Sequence, residues 1–268
     1  MDSIQQQFEG YLQTPYLWFG EGPLHLKQFE LPPLPTIQFD QLIGQNLRLG
    51  KLVERFVSQE LSQHENIQIL EENIQIQKEK LTLGELDCLL LQDENPIHLE
   101  VIYKFYLYAP KVGETSLSHW IGPNRRDSLV LKLNKLKERQ LPLLYHKQTF
   151  DILNKHGLNA ANIEQRVCFK AQLFVPADET AIDYQQLNPN CTAGKYLYFD
   201  ALIRYENCKF YIPRKHDWLV RPHAQKPWLS FLDAREILEG FMLQESAPLV
   251  WVKHPNGLIE KLFVCWWR

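Results

Sequence analysis

Two apolar runs joined by a short polar segment constrain the fold of this chain more than any other feature of its sequence. The runs cover residues 83–91 and 96–107, and Gln92-Asp-Glu-Asn95 separates them. A polar segment between two strand-like runs predicts a β-hairpin. Closing the hairpin pairs apolar side chains along one face: Leu91 with Pro96, Leu90 with Ile97, Cys88 with Leu99, and Leu86 with Val101. We therefore expect this face to lie in the core.

The opposite face of the hairpin collects carboxylates. The same register places Asp87 opposite Glu100, and Glu85 lies one step along this face. Opposed residues have Cβ atoms roughly 4.5–5.5 Å apart, and like charges at that separation are destabilising. A divalent cation is the usual reason for such a cluster, because it prefers carboxylate oxygens as ligands. The pattern favours a metal site at Asp87 and Glu100. The alternative is a solvated outer face whose charges have no function.

Composition limits the classes of function. The 268 residues carry a formal net charge of −3 and are 45% hydrophobic and 23% charged, which is typical of a globular protein. The charge argues against nucleic-acid binding driven by the whole chain, though not against a local basic patch. The sequence shows neither a signal peptide nor an apolar stretch that would span a bilayer, so we expect no membrane partner. Five cysteines without CxxC spacing predict free thiols in a reducing cytoplasm rather than a zinc site.

The chain divides into three regions by pattern. Residues 1–39 predict an N-terminal helix and an extended segment through Pro32-Pro-Leu-Pro35, packed on the core because their apolar content is too high for disorder. Residues 40–158 contain the hairpin and form the predicted core. Residues 159–268 predict a strand-rich C-terminal region, which either extends the same core or forms a second lobe.

Local patterns predict the remaining elements. Helical periodicity predicts helices over residues 40–62, 126–139, 148–156 and 233–244. Strand-like runs occupy residues 66–70, 73–77, 141–145, 167–175, 196–205, 209–212, 249–252 and 258–266. Glu71-Glu72 predicts a turn between the first two runs, and Pro255-Asn-Gly257 predicts a hairpin between the last two. Asn124 is a candidate cap for the second helix.

Four short motifs follow one another along residues 40–150. They are Gly50-Lys-Leu-Val-Glu54 on a helix, Gly84-Glu-Leu-Asp87 on a strand, Leu99-Glu100-Val-Ile-Tyr-Lys104 on the next strand, and Gln140-Leu-Pro-Leu-Leu-Tyr145. In this order they resemble the PD-(D/E)XK nuclease superfamily, whose core runs helix, strand, strand, strand, helix, strand. The whole run also looks like an uncharacterised bacterial family within that superfamily. The resemblance implies an α/β fold: a restriction-endonuclease-like mixed sheet flanked by helices, here with a strand-rich C-terminal extension.

The resemblance also implies roles for individual residues. Asp87, Glu100 and Glu54 correspond to the acidic residues that hold Mg²⁺ or Mn²⁺, and Glu85 is a further candidate ligand. Lys104 corresponds to the catalytic lysine. The superfamily places that lysine two residues after the acid, a position that Ile102 occupies here. Lys104 points to the carboxylate face, but a regular strand carries it roughly 13 Å from Glu100 at about 3.3 Å per residue.

The following helix offers other cationic groups. Lys132, Lys135 and Arg139 form a stripe opposite its leucine face, and Lys132 could supply the positive charge if Lys104 does not reach the acids. We predict that this stripe and Gln140 contact nucleic acid, the alternative being an ordinary solvated face. His98 lies on the carboxylate strand and is expected to be a satisfied structural residue.

These patterns lead to two hypotheses of function. The first is a metal-dependent phosphodiester hydrolase, a nuclease, that acts on DNA with Mg²⁺ or Mn²⁺ as cofactor. The second is a catalytically inactive protein of the same fold that binds nucleic acid or another protein. The displaced lysine and the negative net charge favour the second hypothesis.

Overall fold

A single mixed sheet forms the centre of the protein. In the computed structural model, which describes residues 3–34, 37–44, 47–178 and 181–268, the strands follow the order β1-β2-β3-β5-β6-β9-β8-β7, and β4 pairs with β3 beside this path. The strands are β1 (Ile67–Lys78), β2 (Leu81–Gln92), β3 (Asn95–Tyr108), β4 (Trp120–Ile121), β5 (Glu164–Pro176), β6 (Thr192–Tyr198), β7 (Lys209–Tyr211), β8 (Leu249–Lys253) and β9 (Ile259–Cys265). The fold is α/β, as predicted.

The central hairpin has the predicted register. Leu91 pairs with Pro96, Leu90 with Ile97 and Cys88 with Leu99. The paired stretch ends at Cys88, so the predicted pairs of Leu86 with Val101 and Asp87 with Glu100 lie beyond it. Pairing of β3 on this edge resumes only at Leu107, which pairs with β4. From Glu100 to Tyr106, β3 therefore pairs with β5 along one edge and with no strand of the described residues along the other.

β1 differs from its prediction. The turn predicted at Glu71-Glu72 is wrong. One strand runs through these two residues, and it pairs with β2 both before and after them. The register shifts between Ile69 and Glu71, and Asn73 has a φ of 54°. A bulge thus absorbs the irregularity that the sequence pattern suggested was a turn.

The C-terminal region continues the same sheet. β5 lies parallel to β3, β6 lies parallel to β5, and β9 lies parallel to β6. β8 and β9 form the hairpin that Pro255-Asn-Gly257 predicted. The strand predicted over 196–205 ends early, because residues 199–205 form a 3₁₀-helix.

Helices cover both faces of the sheet. They are α1 (Ser3–Leu12), α2 (Leu49–Leu61), α3 (Leu129–Lys135), α4 (Phe150–Lys155) and α5 (Phe231–Leu243). α1 and α2 pack with Leu99 and Phe105 on one face, whereas α3 packs with Ile102 and Tyr106 on the other. Alternate residues of β3 therefore contribute to opposite cores.

The helix ends differ from several predictions. The helix predicted over 40–62 begins at Leu49, and residues 45–46 of that range lie outside the described residues, as do Met1 and Pro35 of the predicted N-terminal segment. Ser128, not Asn124, caps α3, since its side chain accepts a hydrogen bond from Leu131 N. Ser230 likewise caps α5 ahead of Asp233.

The segment after α3 also departs from expectation. Leu136–Gln140 form a π-helical turn, and Leu141–Tyr145 form a 3₁₀-helix where a buried strand was predicted. An apolar run of this length fits either structure, because burial alone does not fix its backbone.

Two general features complete the fold. None of the helices in the described residues is both long and apolar enough to cross a membrane. All five cysteines are free and buried.

Candidate functional site

Asp87 lies where β2 and β3 stop pairing. Its Oδ2 accepts a hydrogen bond from Val101 N at 2.9 Å, so the side chain caps the β3 backbone just beyond the ladder. Its Oδ1 has no hydrogen bond to any residue that the structure describes. Burial and, second, the negative charge of Glu100 raise the pKa of Asp87 to about 7. The charge of Glu100 therefore acts on Asp87, although the two residues lie beyond the paired stretch of β2 and β3.

Glu100 is fully buried and held by two neutral groups. Gln140 Nε2 donates to its Oε2 at 2.5 Å, and His98 Nε2 lies 3.1 Å from its Oε1. Burial raises the pKa of Glu100 to about 7, while the cation of Lys132 opposes this shift. Ionising a buried carboxylate costs free energy when all of its hydrogen-bond partners are neutral, and a nearby cation reduces that cost.

His98 is neutral at physiological pH. Burial lowers its pKa to about 4. Gln165 Nε2 donates to Leu141 O at 2.6 Å and lies 3.0 Å from His98 Nδ1, so Nδ1 accepts and Nε2 carries the proton. His98 thus donates to Glu100 and fixes the orientation of its carboxylate, a structural role consistent with the sequence expectation.

Glu54 reaches the site from α2. Lys51, one turn earlier, donates to Glu54 Oε2 at 2.8 Å and to Asn73 Oδ1 at 2.9 Å, and it also pairs with Glu85. Burial raises the pKa of Glu54 to about 7; Lys51 lowers it and Asp87 raises it. Lys51 therefore contacts both Glu54 and Glu85, and the charge of Asp87 acts on Glu54.

Lys132 is the lysine that acts most strongly on the buried carboxylates. Its Nζ donates to Gln140 Oε1 at 2.8 Å, and Gln140 in turn donates to Glu100. Burial lowers the pKa of Lys132 to about 8, while the charges of Glu100 and Asp87 raise it. Eight residues separate Lys132 from Gln140; the π-helical turn widens the helix, so that both fall on the same side after two turns.

Lys104 has a different partner. Its Nζ forms an ion pair with Asp127 Oδ2 at 2.6 Å, and both side chains are partly exposed. The lysine that the sequence motif singles out is thus engaged outside the hydrogen-bonded group of Glu100. Its role as the catalytic lysine stays a prediction.

A cleft of about 900 Å³ opens beside these residues, along the edge of β3 that lacks a partner strand. Its charged lining groups include Arg48, Lys104, Arg126, Asp127, Lys132 and Lys215. We call it the basic cleft. Lys135 and Arg139 are exposed and do not line it, so the predicted stripe is split, with only Lys132 turned inward.

The carboxylates suit a cation that needs few protein ligands. In the described part of the chain, no group of three or more His, Cys, Asp or Glu side chains is arranged to hold a metal ion. Mg²⁺ commonly keeps several waters and binds through one or two carboxylates plus substrate phosphates. Asp87, with its free Oδ1, fits that kind of site. Glu100 would join it only by exchanging its hydrogen bond to Gln140 or His98 for the cation, and Glu54 and Glu85 are engaged by Lys51.

Several residues of this site were not predicted. Lys51 lies three residues before Glu54, and that helical spacing could have indicated the ion pair. Arg48, Asp127, Gln165 and Lys215 reach the site from separate elements, and no local pattern marks them. Trp218, which lines the cleft, contacts Phe263, and Trp267 contacts Tyr196.

One family model matches the chain. It is described as a domain of unknown function, DUF1853, and it covers residues 15–262, so the chain belongs to that family. No curated protein and no solved structure matches the chain. The family description names no activity, and the residues of the site therefore carry the functional argument.

Proposed function

We propose that this member of the DUF1853 family is a metal-dependent phosphodiester hydrolase with a restriction-endonuclease-like core, acting on DNA with Mg²⁺ or Mn²⁺. One observation carries the proposal: Asp87 and Glu100 come from adjoining strands next to Val101, which lines the basic cleft and donates to Asp87 Oδ2, and both carboxylates have pKa values raised to about 7. Buried, interacting carboxylates with strongly shifted pKa values are more common at functional sites than elsewhere. The order of the four sequence motifs supports the same class of reaction.

Each residue has a chemical part in this reaction. A bound divalent cation would polarise the phosphoryl group and lower the pKa of an attacking water. Asp87 and Glu100 would hold it, while Gln140 and His98 fix the Glu100 carboxylate. Lys132 would stabilise the negative charge that develops on the phosphoryl oxygens. Lys104 remains the alternative for that task, and Glu54 remains a candidate third ligand.

Two observations favour a second function. The described residues contain no arrangement of three metal-ligand side chains, and Lys104 pairs with Asp127. Both facts are compatible with a catalytically inactive protein that binds nucleic acid without cleaving it.

A cleavage assay separates the two functions. Single-stranded and duplex DNA would be incubated with the full chain and Mg²⁺, Mn²⁺ or a chelator, with Asp87→Ala as the control variant. We expect metal-dependent cleavage that Asp87→Ala reduces at least about a hundredfold. Binding without cleavage under all metal conditions would favour the inactive protein, and cleavage by Asp87→Ala at the wild-type rate would indicate a contaminating nuclease.

A further inference from the structure

The basic cleft contains cations that no acidic neighbour neutralises. Lys104 is paired with Asp127, and Lys132 acts on Glu100 and Asp87. Arg48, Arg126 and Lys215 also line the cleft, yet none of them forms an ion pair with a carboxylate in the described residues. All three are exposed. In a chain with a formal net charge of −3, this leaves a local surplus of positive charge along the cleft.

The loop that carries Arg126 is held from both sides. Gly122 N donates to Asp127 O at 2.8 Å and closes the loop on itself. Asn124 Oδ1 accepts from Ala247 N at 2.7 Å, and Trp267 Nε1 donates to Pro123 O at 2.8 Å. The C-terminal region thus fixes the position of Arg126, so the cation is presented without the entropy cost of a loose loop.

Lys215 is fixed in a similar way. It begins the short 3₁₀-helix Lys215–Trp218, whose Trp218 ring contacts Phe105 at 5.3 Å and Phe263 at 5.1 Å between ring centroids. These edge-on aromatic contacts anchor the turn to the sheet and direct the Lys215 backbone to the wall of the cleft.

The N-terminal end of α2 faces the same cleft. Leu49 and Gly50 line it, Arg48 precedes the helix, and the first turn holds no acidic residue. The first N–H groups of a helix have no partner within it and favour an anion. A Cβ added at Gly50 would meet nothing within 4 Å, so this backbone is open to a ligand.

We propose that the basic cleft is the binding groove for the phosphate backbone of a nucleic-acid strand, with Arg48, Arg126 and Lys215 as its phosphate contacts. The three cations come from separate parts of the chain and line the same cleft as Lys132, which is linked through Gln140 to Glu100. They replace the exposed helix face of Lys135 and Arg139 as the backbone-binding surface. The inference rests on the proposed function, because a phosphodiester hydrolase must hold the backbone beside its acids.

A binding experiment tests the groove independently of catalysis. Full-length Asp87→Asn protein would be titrated in chelator with a fluorescently labelled oligonucleotide, as single strand and as duplex, and anisotropy measured between about 50 and about 200 mM salt. Adding Arg126→Ala or Lys215→Ala should weaken binding about tenfold and lower the salt slope by about one. Lys135→Ala and Arg139→Ala are matched controls, because they remove the same charge from an exposed face, and they should stay within about twofold of the parent.

The outcomes distinguish this inference from the proposed function. Three results would overturn the assignment of the basic cleft as the binding groove. They are no binding of either DNA form at the lowest salt, equal affinity of the cleft variants and their parent, and a larger loss of affinity in Lys135→Ala than in the cleft variants. Failure of the wild type to cleave DNA would overturn the hydrolase and leave the binding result intact. An RNA strand of the same sequence identifies the source of the phosphates: tighter RNA binding with the same loss in Arg126→Ala would assign the groove to RNA.

Discussion

Gln140 Nε2 lies 2.5 Å from Glu100 Oε2, while Gln140 Oε1 accepts a hydrogen bond from Lys132. One amide thus links a buried acid to a buried base. The amide can donate to Glu100 only from its NH₂ group, so the contact with Lys132 fixes which way it points. Through this contact, Lys132 and the π-helical turn control the orientation of a carboxylate on the neighbouring strand.

Gln140→Leu should shift the pH profile of the hydrolase. Removing the donor withdraws a hydrogen bond from the ionised form of Glu100, whose pKa is already raised to about 7 by burial. We expect the acidic limb of kcat/KM to move to higher pH by about half a unit to one unit, and the rate near neutrality to fall about tenfold. A uniform loss of rate at every pH would instead indicate a purely structural role for Gln140.

Stability without metal should depend on pH through Asp87. Burial raises its pKa from 3.8 to about 7, so the folded protein keeps a proton that the unfolded chain releases between these values. Such a group makes the free energy of unfolding fall as pH rises through this window. We expect Asp87→Asn to match wild type near the acidic end and to exceed it above the window by up to about 4 kcal/mol, since each pKa unit between 3.8 and about 7 corresponds to about 1.4 kcal/mol. Thermal unfolding across this pH range measures the difference.

The comparison measures the effect of the Asp87 charge against a background that both proteins share. Glu54 and Glu100 also have pKa values of about 7, whereas His98, lowered to about 4, gives the opposite slope below its ordinary value of 6.5. Both proteins carry these groups, and because the charge of Asp87 raises the pKa of Glu54, the difference between their unfolding curves reports Asp87 together with its effect on its neighbours. A difference that stays constant with pH would contradict the raised pKa.

Divalent cation should stabilise the folded protein. Binding to the folded state alone adds about 1.4 kcal/mol at ten times the Kd. Calorimetric melting with and without Mg²⁺ or Mn²⁺ should show this increment in wild type, and Asp87→Asn should lose most of it. Glu94→Gln is the matched control, since Glu94 is exposed in the hairpin loop before β3, six residues ahead of Glu100. An equal increment in all three proteins would place the cation elsewhere.

The hairpin could be predicted because its information is local. The alternating pattern and the polar segment fix which residues face each other, and the observed pairs from Leu91 to Cys88 follow that pattern. The end of the ladder could not be predicted, because it depends on β4 and on the Asp87 side chain that bonds to Val101.

The cationic groups show where local information ends. Lys104 lies on the predicted strand, but its partner Asp127 belongs to a loop whose position depends on Ala247 and Trp267. Lys132 turns inward because α3 buries Leu129 and Leu133 against the sheet and a π-helical turn follows. These placements result from tertiary packing over long sequence separations, which periodicity does not encode.

The two motif glycines should respond differently to substitution. A Cβ at Gly84 would lie 2.4 Å from Leu143 Cδ1, so Gly84→Ala forces a packed side chain to move and should cost about 1–3 kcal/mol. Gly50 has open space and lies inside α2, where alanine is the better helix former. Gly50→Ala should leave stability unchanged or raise it by up to about 1 kcal/mol. Chemical denaturation of both variants measures this, and equal losses would contradict the close approach of Gly84 and Leu143.

Lys132 and Lys104 can be separated by paired substitutions. If Lys132 supplies the cation of the active site, Lys132→Ala should lower kcat about a hundredfold or more. The substitution would remove the positive charge that stabilises the negative charge developing on the phosphoryl group. Lys104→Ala should have a smaller effect on kcat. Its partly exposed pair with Asp127 should contribute no more than about 1 kcal/mol to stability.

Single-turnover cleavage at saturating DNA compares the two variants at the chemical step, so weakened binding does not obscure the result. Lys132→Met preserves much of the side-chain volume and serves as the folding control, because an empty cavity beside Gln140 could by itself displace Glu100. A loss confined to Lys104→Ala would show that Lys104 leaves Asp127 when DNA binds and that the sequence motif identified the catalytic lysine correctly. A loss confined to the Lys132 variants would assign that charge to the helix, since Lys132 is the only lysine in the described residues that shares a hydrogen-bonded partner with Glu100.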